Sequence, residues 1–237
     1  MGKKIAFISG TSIERSNVFK RWRIEEIETD YGSVFLKTSG DLIVLNRHGF
    51  ENPLPPHSIN YQAYVSALKL LKVEDAICVS SVGSLKESLG PGTIVSCDDY
   101  VSFSPKTFFD DRLSGFAPVV GNPLLKMIMS VCSHPIQTGK TYVQTTGPRF
   151  ETKAEVRILQ SWGCDVVGMT FANEADLLFE KEIGVTSICM VDNFAHGIGS
   201  QQLSMEDFRA LVSANQMKVD TMLESIVEEF RARSVLP

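Results

Sequence analysis

Short apolar runs rich in β-branched residues, alternating with longer segments of helical period, constrain this chain more than any other feature. The runs are Lys4–Ile8, Leu42–Leu45, Ala76–Val79, Thr93–Ser96, Thr141–Gln144, Asp165–Gly168 and Val185–Val191. Between them, Asn60–Leu71 sets Tyr61, Tyr64, Val65, Leu68 and Leu71 on one helical face. Asn122 followed by Pro123 reads as an N-cap and first-turn pair ahead of LLKMIMSVC. A last amphipathic helix is predicted from Met205 to about Arg231, with Phe208, Val212, Val219, Leu223 and Ile226 on its apolar side. Alternation of this kind predicts an α/β sheet with helices on its faces. Repeats and Ser/Gly linkers are absent from the sequence, so residues 1–237 read as a single domain.

Composition narrows the function classes. The chain has 237 residues, is 43% apolar and 22% charged, and carries a formal charge of −5. Such a chain can bury a sizeable core, and a weakly acidic balance argues against coating a nucleic-acid backbone. Apolar runs stay short of the ~18 residues a membrane helix needs. The opening MGKKIAFISG is too brief for a signal-peptide core and suits a first buried strand. Five cysteines (Cys78, Cys97, Cys132, Cys164 and Cys189) lie far apart without a C-x-x-C, as expected for reduced thiols in a cytoplasmic protein. Clustered Cys/His ligands for zinc are not visible, so no metal is expected. Segment Ser102–Pro123, with three prolines and four phenylalanines, reads as a long loop: a packed connection, a lid or a subunit interface.

Six polar segments follow the predicted strands. Ser9-Gly10-Thr11-Ser12 offers amides and hydroxyls at a strand end, an anion cradle or simply a turn. It is neither G-x-G-x-x-G nor a Walker pattern, so dinucleotide and ATP binding lack motif support. Arg47-His48 offers a bidentate guanidinium and an imidazole to an oxyanion, against the plainer reading of a surface Arg and a packed His. His57 reads better as a structural partner than as a catalyst. Val79-Ser80-Ser81-Val82-Gly83-Ser84 permits close backbone approach by a ligand. Three such segments gathered at strand ends, all offering anion donors, make phosphate the economical ligand. Thr146-Gly147-Pro148-Arg149-Phe150-Glu151 places an aromatic beside a carboxylate, although a Glu there could serve only a helix start. Val167-Gly168-Met169-Thr170, followed by Asn173-Glu174, and Asp192-Asn193-Phe194-Ala195-His196 complete the set.

Taken together, RHG…PPHSINYQA, VGSLKESLGPGTIV, TGPRFETKAEVRIL, GCDVVGMTFANEADL and MVDNFAHGI resemble the trimeric purine nucleoside phosphorylases, in their 5′-methylthioadenosine/5′-methylthioinosine phosphorylase branch. The resemblance spans Gly10 to about Gly197. It implies a single α/β domain around a central mixed β-sheet flanked by helices, assembled as a homotrimer. It also implies phosphorolysis of a purine nucleoside to free purine and pentose 1-phosphate. Inorganic phosphate is the co-substrate, and no cofactor, metal, nucleic acid or membrane takes part.

By the same resemblance Thr11, Arg47, His48, Ser80 and Thr170 bind phosphate, and Ser81 donates its backbone amide. Val82, Gly83, Phe150, Glu151 and Asn193 surround the base, with Glu151 and Asn193 reading a 6-oxopurine. Met169 lies under the ribose, while Leu203 and Met205 form an apolar pocket for a 5′-methylthio group. Asn193, His48 and Arg47 carry the catalytic roles. A one-residue shift would put Asp192 in the Asn193 position and favour adenine. The resemblance therefore points to 5′-methylthioinosine first, with 5′-methylthioadenosine and inosine/guanosine as alternatives. Ser9 in place of a glycine and Asn173 in place of a proline depart from the family pattern, as does a shortened middle loop whose Phe108 and Phe109 are candidates to reach a neighbouring site. A nucleosidase using water, or a nucleoside-binding protein without turnover, are the competing classes.

Overall fold

Ile5–Ser9 forms β1, five residues buried without a break, and the rest of the sheet is laid down around it. Its parallel neighbours are β4 (Leu42–Asn46) and β5 (Asp75–Ser84), with Ile5 opposite both Leu42 and Asp75. An antiparallel pair, β2 (Arg23–Ile27) and β3 (Val34–Ser39), extends the sheet beyond β4. On the other side lie β6 (Ile94–Val101), β7 (Ile136–Gln144), β8 (Val166–Gly168) and β9 (Gly184–Phe194). The strand order is β2-β3-β4-β1-β5-β8-β7-β6-β9, and β9 pairs again with β5, so the last five strands close into a ring. The expected mixed sheet with flanking helices is what forms. The computed structural model describes residues 3–10, 13, 16–50, 53–112, 115–199 and 205–235.

Among the described residues, five helices of more than one turn cover the sheet: α1 (Tyr61–Leu70), α2 (Leu125–Val131), α3 (Lys153–Ser161), α4 (Phe171–Glu180) and α5 (Met205–Val235). Asn60 caps α1 by accepting from the Ala63 amide, and Thr152 with Glu155 forms a capping box on α3. Tyr64, Leu68, Phe171 and Leu178 from α1 and α4 pack with Ile8 and Cys78 on one face. Ile128, Val219, Leu223 and Ile226 from α2 and α5 pack with Phe7 and Val79 on the other. Among the described residues no helix is long and apolar enough to cross a membrane.

Three features differ from the sequence expectations. Strands β5 and β9 run on through Ser84 and Phe194, so two segments expected as loops lie inside paired strands. Strands β2 and β3 were not expected, because Arg23–Ile27 is largely exposed and lacks an apolar run. Asn122 does not cap α2, which starts at Leu125. At φ 46° its side chain instead accepts from the Ser187 amide and donates to the Cys97 carbonyl, tying β6 to β9. The segment between β6 and α2 docks on α4, where Thr107 and the Phe108 amide donate to Glu180 at 2.7 Å.

Candidate active site at the strand ends

A cavity of about 250 Å³ opens where β1, β4 and β5 reach their carboxyl ends, with β8, β9 and the start of α5 completing its wall. Arg47, immediately after β4, is buried and turns towards α4. Its Nε and Nη2 donate to the two oxygens of Glu174 at 2.5 and 3.0 Å. Nη2 also donates to the Ile8 carbonyl at 3.2 Å, and Nη1 to the Val79 carbonyl at 3.0 Å. A guanidinium has five N–H donors, so one on Nη1 is left uncommitted among the described residues. The bidentate fork expected for phosphate is therefore spent on Glu174. Burial opposes the Arg47 charge, but Glu174 more than offsets it and keeps the guanidinium protonated. Burial also pushes the Glu174 carboxyl above the usual carboxylate range, against the pull of Arg47.

His48 is the next residue. Its Nδ1 lies 2.7 Å from the Leu54 carbonyl, an atom that can only accept, so Nδ1 carries a proton. Nε2 is then an acceptor in the neutral ring and a donor only in the imidazolium. A Cβ at position 10 would fall 2.7 Å from Nε2, so Gly10 lets the loop after β1 pass close to the ring.

Thr170 occupies the N-cap of α4, yet its hydroxyl makes no capping bond. The first amides of α4 are met from β7 instead. Thr170 and Phe171 N–H donate to the Tyr142 hydroxyl at 3.1 and 3.3 Å, and Ala172 N–H to Gln144 Oε1 at 3.1 Å. A Cβ on Gly168 would sit 2.5 Å from that tyrosine hydroxyl. This arrangement releases the Thr170 side chain to the cavity it lines. Ser9 lines the same end, and its buried hydroxyl has no partner among the described residues. Such an orphan is what a ligand oxygen would satisfy.

At the opposite end a β-bulge decides which residue faces inward. Val82 pairs with Val191, but Gly83 pairs with Asn193, so Asp192 is the extra residue. Asn193 consequently lines the cavity with Val82 and Gly83, and Asp192 does not. The Asn193 Nδ2 donates to the Phe194 carbonyl at 2.7 Å and passes close to Gly83, where a Cβ would meet it at 3.3 Å. Glu151 accepts from Thr145 Oγ1 at 2.7 Å through Oε1, leaving Oε2 without a partner among the described residues. Phe150 packs edge-on to Phe208 of α5, with ring centroids 5.6 Å apart. Met169 lines the middle of the cavity, backed by Gly147 at φ 69°, whose Cβ would lie 2.5 Å from the methionine sulfur.

Most of the sequence-predicted residues thus share one cavity. Ser80 is not on its wall; it is buried beside it with an unpartnered hydroxyl. Thr11 and Leu203 lie outside the described residues, as does the side chain of Met205, the first residue of α5. His57 is exposed in a short 3-10 turn. Phe108 packs on Tyr31 and Lys181 of its own chain, and Phe109 on Arg112. Sequence reasoning gave no role to Glu174 or Phe208, and Ser9 only a place in a candidate anion cradle. The ion pair of Glu174 spans 127 residues, and Phe208 looked like ordinary apolar helix face. Among the described residues no cluster of three or more His, Cys, Asp or Glu is placed to hold a metal ion.

Comparison with known proteins identifies the family. The family model described as the phosphorylase superfamily matches residues 4–228. The chain belongs to the phosphorylase superfamily. Relatives of this phosphorylase include a protein of Methanocaldococcus jannaschii named probable S-methyl-5′-thioinosine phosphorylase. It is 36% identical over 94% of this chain and 91% of its own length. A protein of Archaeoglobus fulgidus named probable 6-oxopurine nucleoside phosphorylase is 35% identical over 95% and 94%. Among solved structures, methylthioadenosine phosphorylase from Schistosoma mansoni in complex with adenine is similar with a TM-score of 0.78. It is 25% identical, over 98% of this phosphorylase and 93% of that chain.

Proposed function

We propose that this phosphorylase transfers the pentosyl group of a 6-oxopurine nucleoside to inorganic phosphate. The bulge that turns Asn193 into the cavity carries this reading. An amide there can donate to O6 and, through its oxygen, accept a hydrogen bond from the N7–H that forms as the base departs, while the uncommitted oxygen of Glu151 accepts from N1–H. An oxygen of hydrogen phosphate bonds to C1′ as the bond from C1′ to N9 breaks, and the purine leaves with the electron pair and takes up the proton that the phosphate gives up. Arg47 Nη1, Thr170 and Ser9 at the far end, with His48 in its imidazolium form, are the phosphate donors, joined on the family resemblance by Thr11, Ser80 and the Ser81 amide. Fixed donors of this kind are each worth ~10²–10³ in rate. Met169 supports the ribose, and Phe150 with Phe208 covers the base. No cofactor enters this chemistry.

The name of the Methanocaldococcus jannaschii relative, probable S-methyl-5′-thioinosine phosphorylase, supports a 5′-methylthio substituent, for which Leu203 and Met205 are the apolar side chains that the resemblance supplies. Homotrimeric assembly, purine salvage and a cytoplasmic location belong to the same reading. The exposed pair Phe103–Trp162, with exposed Ile158 nearby, supports a covered face in an assembly. The deciding experiment measures phosphate-dependent base release from inosine, adenosine, 5′-methylthioinosine and 5′-methylthioadenosine. Preference for 5′-methylthioinosine is expected. Preference for either adenine nucleoside would remove Asn193 from base selection, and equal release without phosphate would make the protein a nucleosidase.

A further inference from the structure

The residue displaced by the bulge has its own arrangement. Asp192 is 1% exposed, and both of its oxygens are occupied. Oδ2 accepts from the Ser81 hydroxyl, and Oδ1 accepts from Nδ2 of Asn215 on α5 at 2.8 Å. An ionised carboxylate is an acceptor only, so the single hydroxyl proton of Ser81 is committed to it. Burial raises the Asp192 carboxyl above its ordinary range, while these two hydrogen bonds pull it back down. Ser81 is half-buried and lines the cavity between Val79 and Val82. With its proton directed at Asp192, its oxygen has lone pairs to present to a ligand.

We propose that Asp192 is a positioning residue that holds Ser81 Oγ as a hydrogen-bond acceptor for a hydroxyl of the substrate's sugar. The inference rests on the nucleoside reading above. It assigns the Ser81 side chain a task separate from that of its backbone amide, and of opposite polarity. Phosphate oxygens are chiefly acceptors, so an acceptor facing them gains little. The base is met by Phe150, Glu151 and Asn193. The sugar hydroxyls are the donors that remain, and a nucleoside lacking the matching one leaves the Ser81 lone pair unsatisfied. Because Asn215 holds the other oxygen, the same carboxylate ties this acceptor to the helix that carries Phe208 over the base.

The test compares inosine, 2′-deoxyinosine and 3′-deoxyinosine at saturating phosphate, with the phosphate KM measured separately, for wild type, Ser81→Ala, Asp192→Asn and the double variant. Ser81→Ala is expected to lose about ten-fold in kcat/KM on inosine. One of the two deoxynucleosides should lose less than two-fold, and the phosphate KM should stay within two-fold. Asp192→Asn should reduce the same discrimination, and should reduce it no further once Ser81 is alanine. Equal losses on all three nucleosides, or a rise confined to the phosphate KM, would overturn the assignment. An Asp192→Asn effect undiminished in the Ser81→Ala background would overturn the role of Asp192. A wild type releasing no base from any of the three, nor from 5′-methylthioinosine, with phosphate present would instead refute the underlying nucleoside reading, and the inference with it.

Discussion

At the Arg47 end of the cavity the charges are already paired, and at the Glu151 and Asn193 end, among the described residues, they are not. Arg47 enters with Glu174 on two of its donors and two backbone carbonyls on two more. Glu151 enters with a neutral threonine on one oxygen and nothing on the other, and Asn193 is held through a single N–H to the Phe194 carbonyl. One end is thus a rigid ion pair with a single donor to spare, and the other is a pair of half-satisfied polar groups. The contrast explains how an anion can be received without a large net positive charge. It also places selectivity where groups still seek partners, since an unpaired buried acceptor or donor costs more than a made bond gains.

Glu174→Gln breaks the comparison most severely. Removing one partner of a buried ion pair costs roughly 3–5 kcal/mol, because the remaining charge is left uncompensated. Denaturant unfolding should show a loss of this size, with a raised phosphate KM in whatever folds. A stability within 1 kcal/mol of wild type would mean that Arg47 is not held by this pair. Asn193→Asp acts at the other end and leaves the fold in place. It should lower kcat/KM on inosine ~10²-fold, the scale for loss of a transition-state donor, while activity on adenosine rises. Unchanged inosine preference would disconnect the bulge from base selection. Phe208→Ala sharpens the picture least, removing one aromatic contact worth ~0.5–1.5 kcal/mol. The nucleoside KM should rise several-fold with the phosphate KM unmoved, and a shift in both would show that α5 organises the whole cavity.

How much of this was legible in the sequence divides along the same line. The buried strands announce themselves as apolar runs, and the strand-end motifs of Arg47, Thr170 and Glu151 point to one shared cavity, because each is fixed by local sequence. Strands β2 and β3 are not legible because exposed Arg23 and Glu26 and half-buried Glu25 and Lys37 leave little apolar period to read. Whether Asp192 or Asn193 faces the base depends on one extra residue in a strand, which shifts every side chain beyond it to the other face. That shift exists only in the pairing of β9 with β5. The partner of Arg47 is equally non-local, brought from a helix beyond β8.

The ring made by β5, β8, β7, β6 and β9 also sets an order of events during synthesis. β5 pairs with β9 along its whole length, from Asp75–Gly184 to Ser84–Phe194. Until β9 has left the ribosome, the β9-facing side of β5 is bare and Asn193 has no bulge to sit in. Pairings so distant in the chain form slowly, and waiting strand edges are open to wrong partners. The turn of Asn193 into the cavity is therefore among the last features this chain acquires as it folds, and a chain stalled before residue 194 would present an adhesive strand in place of that cavity wall.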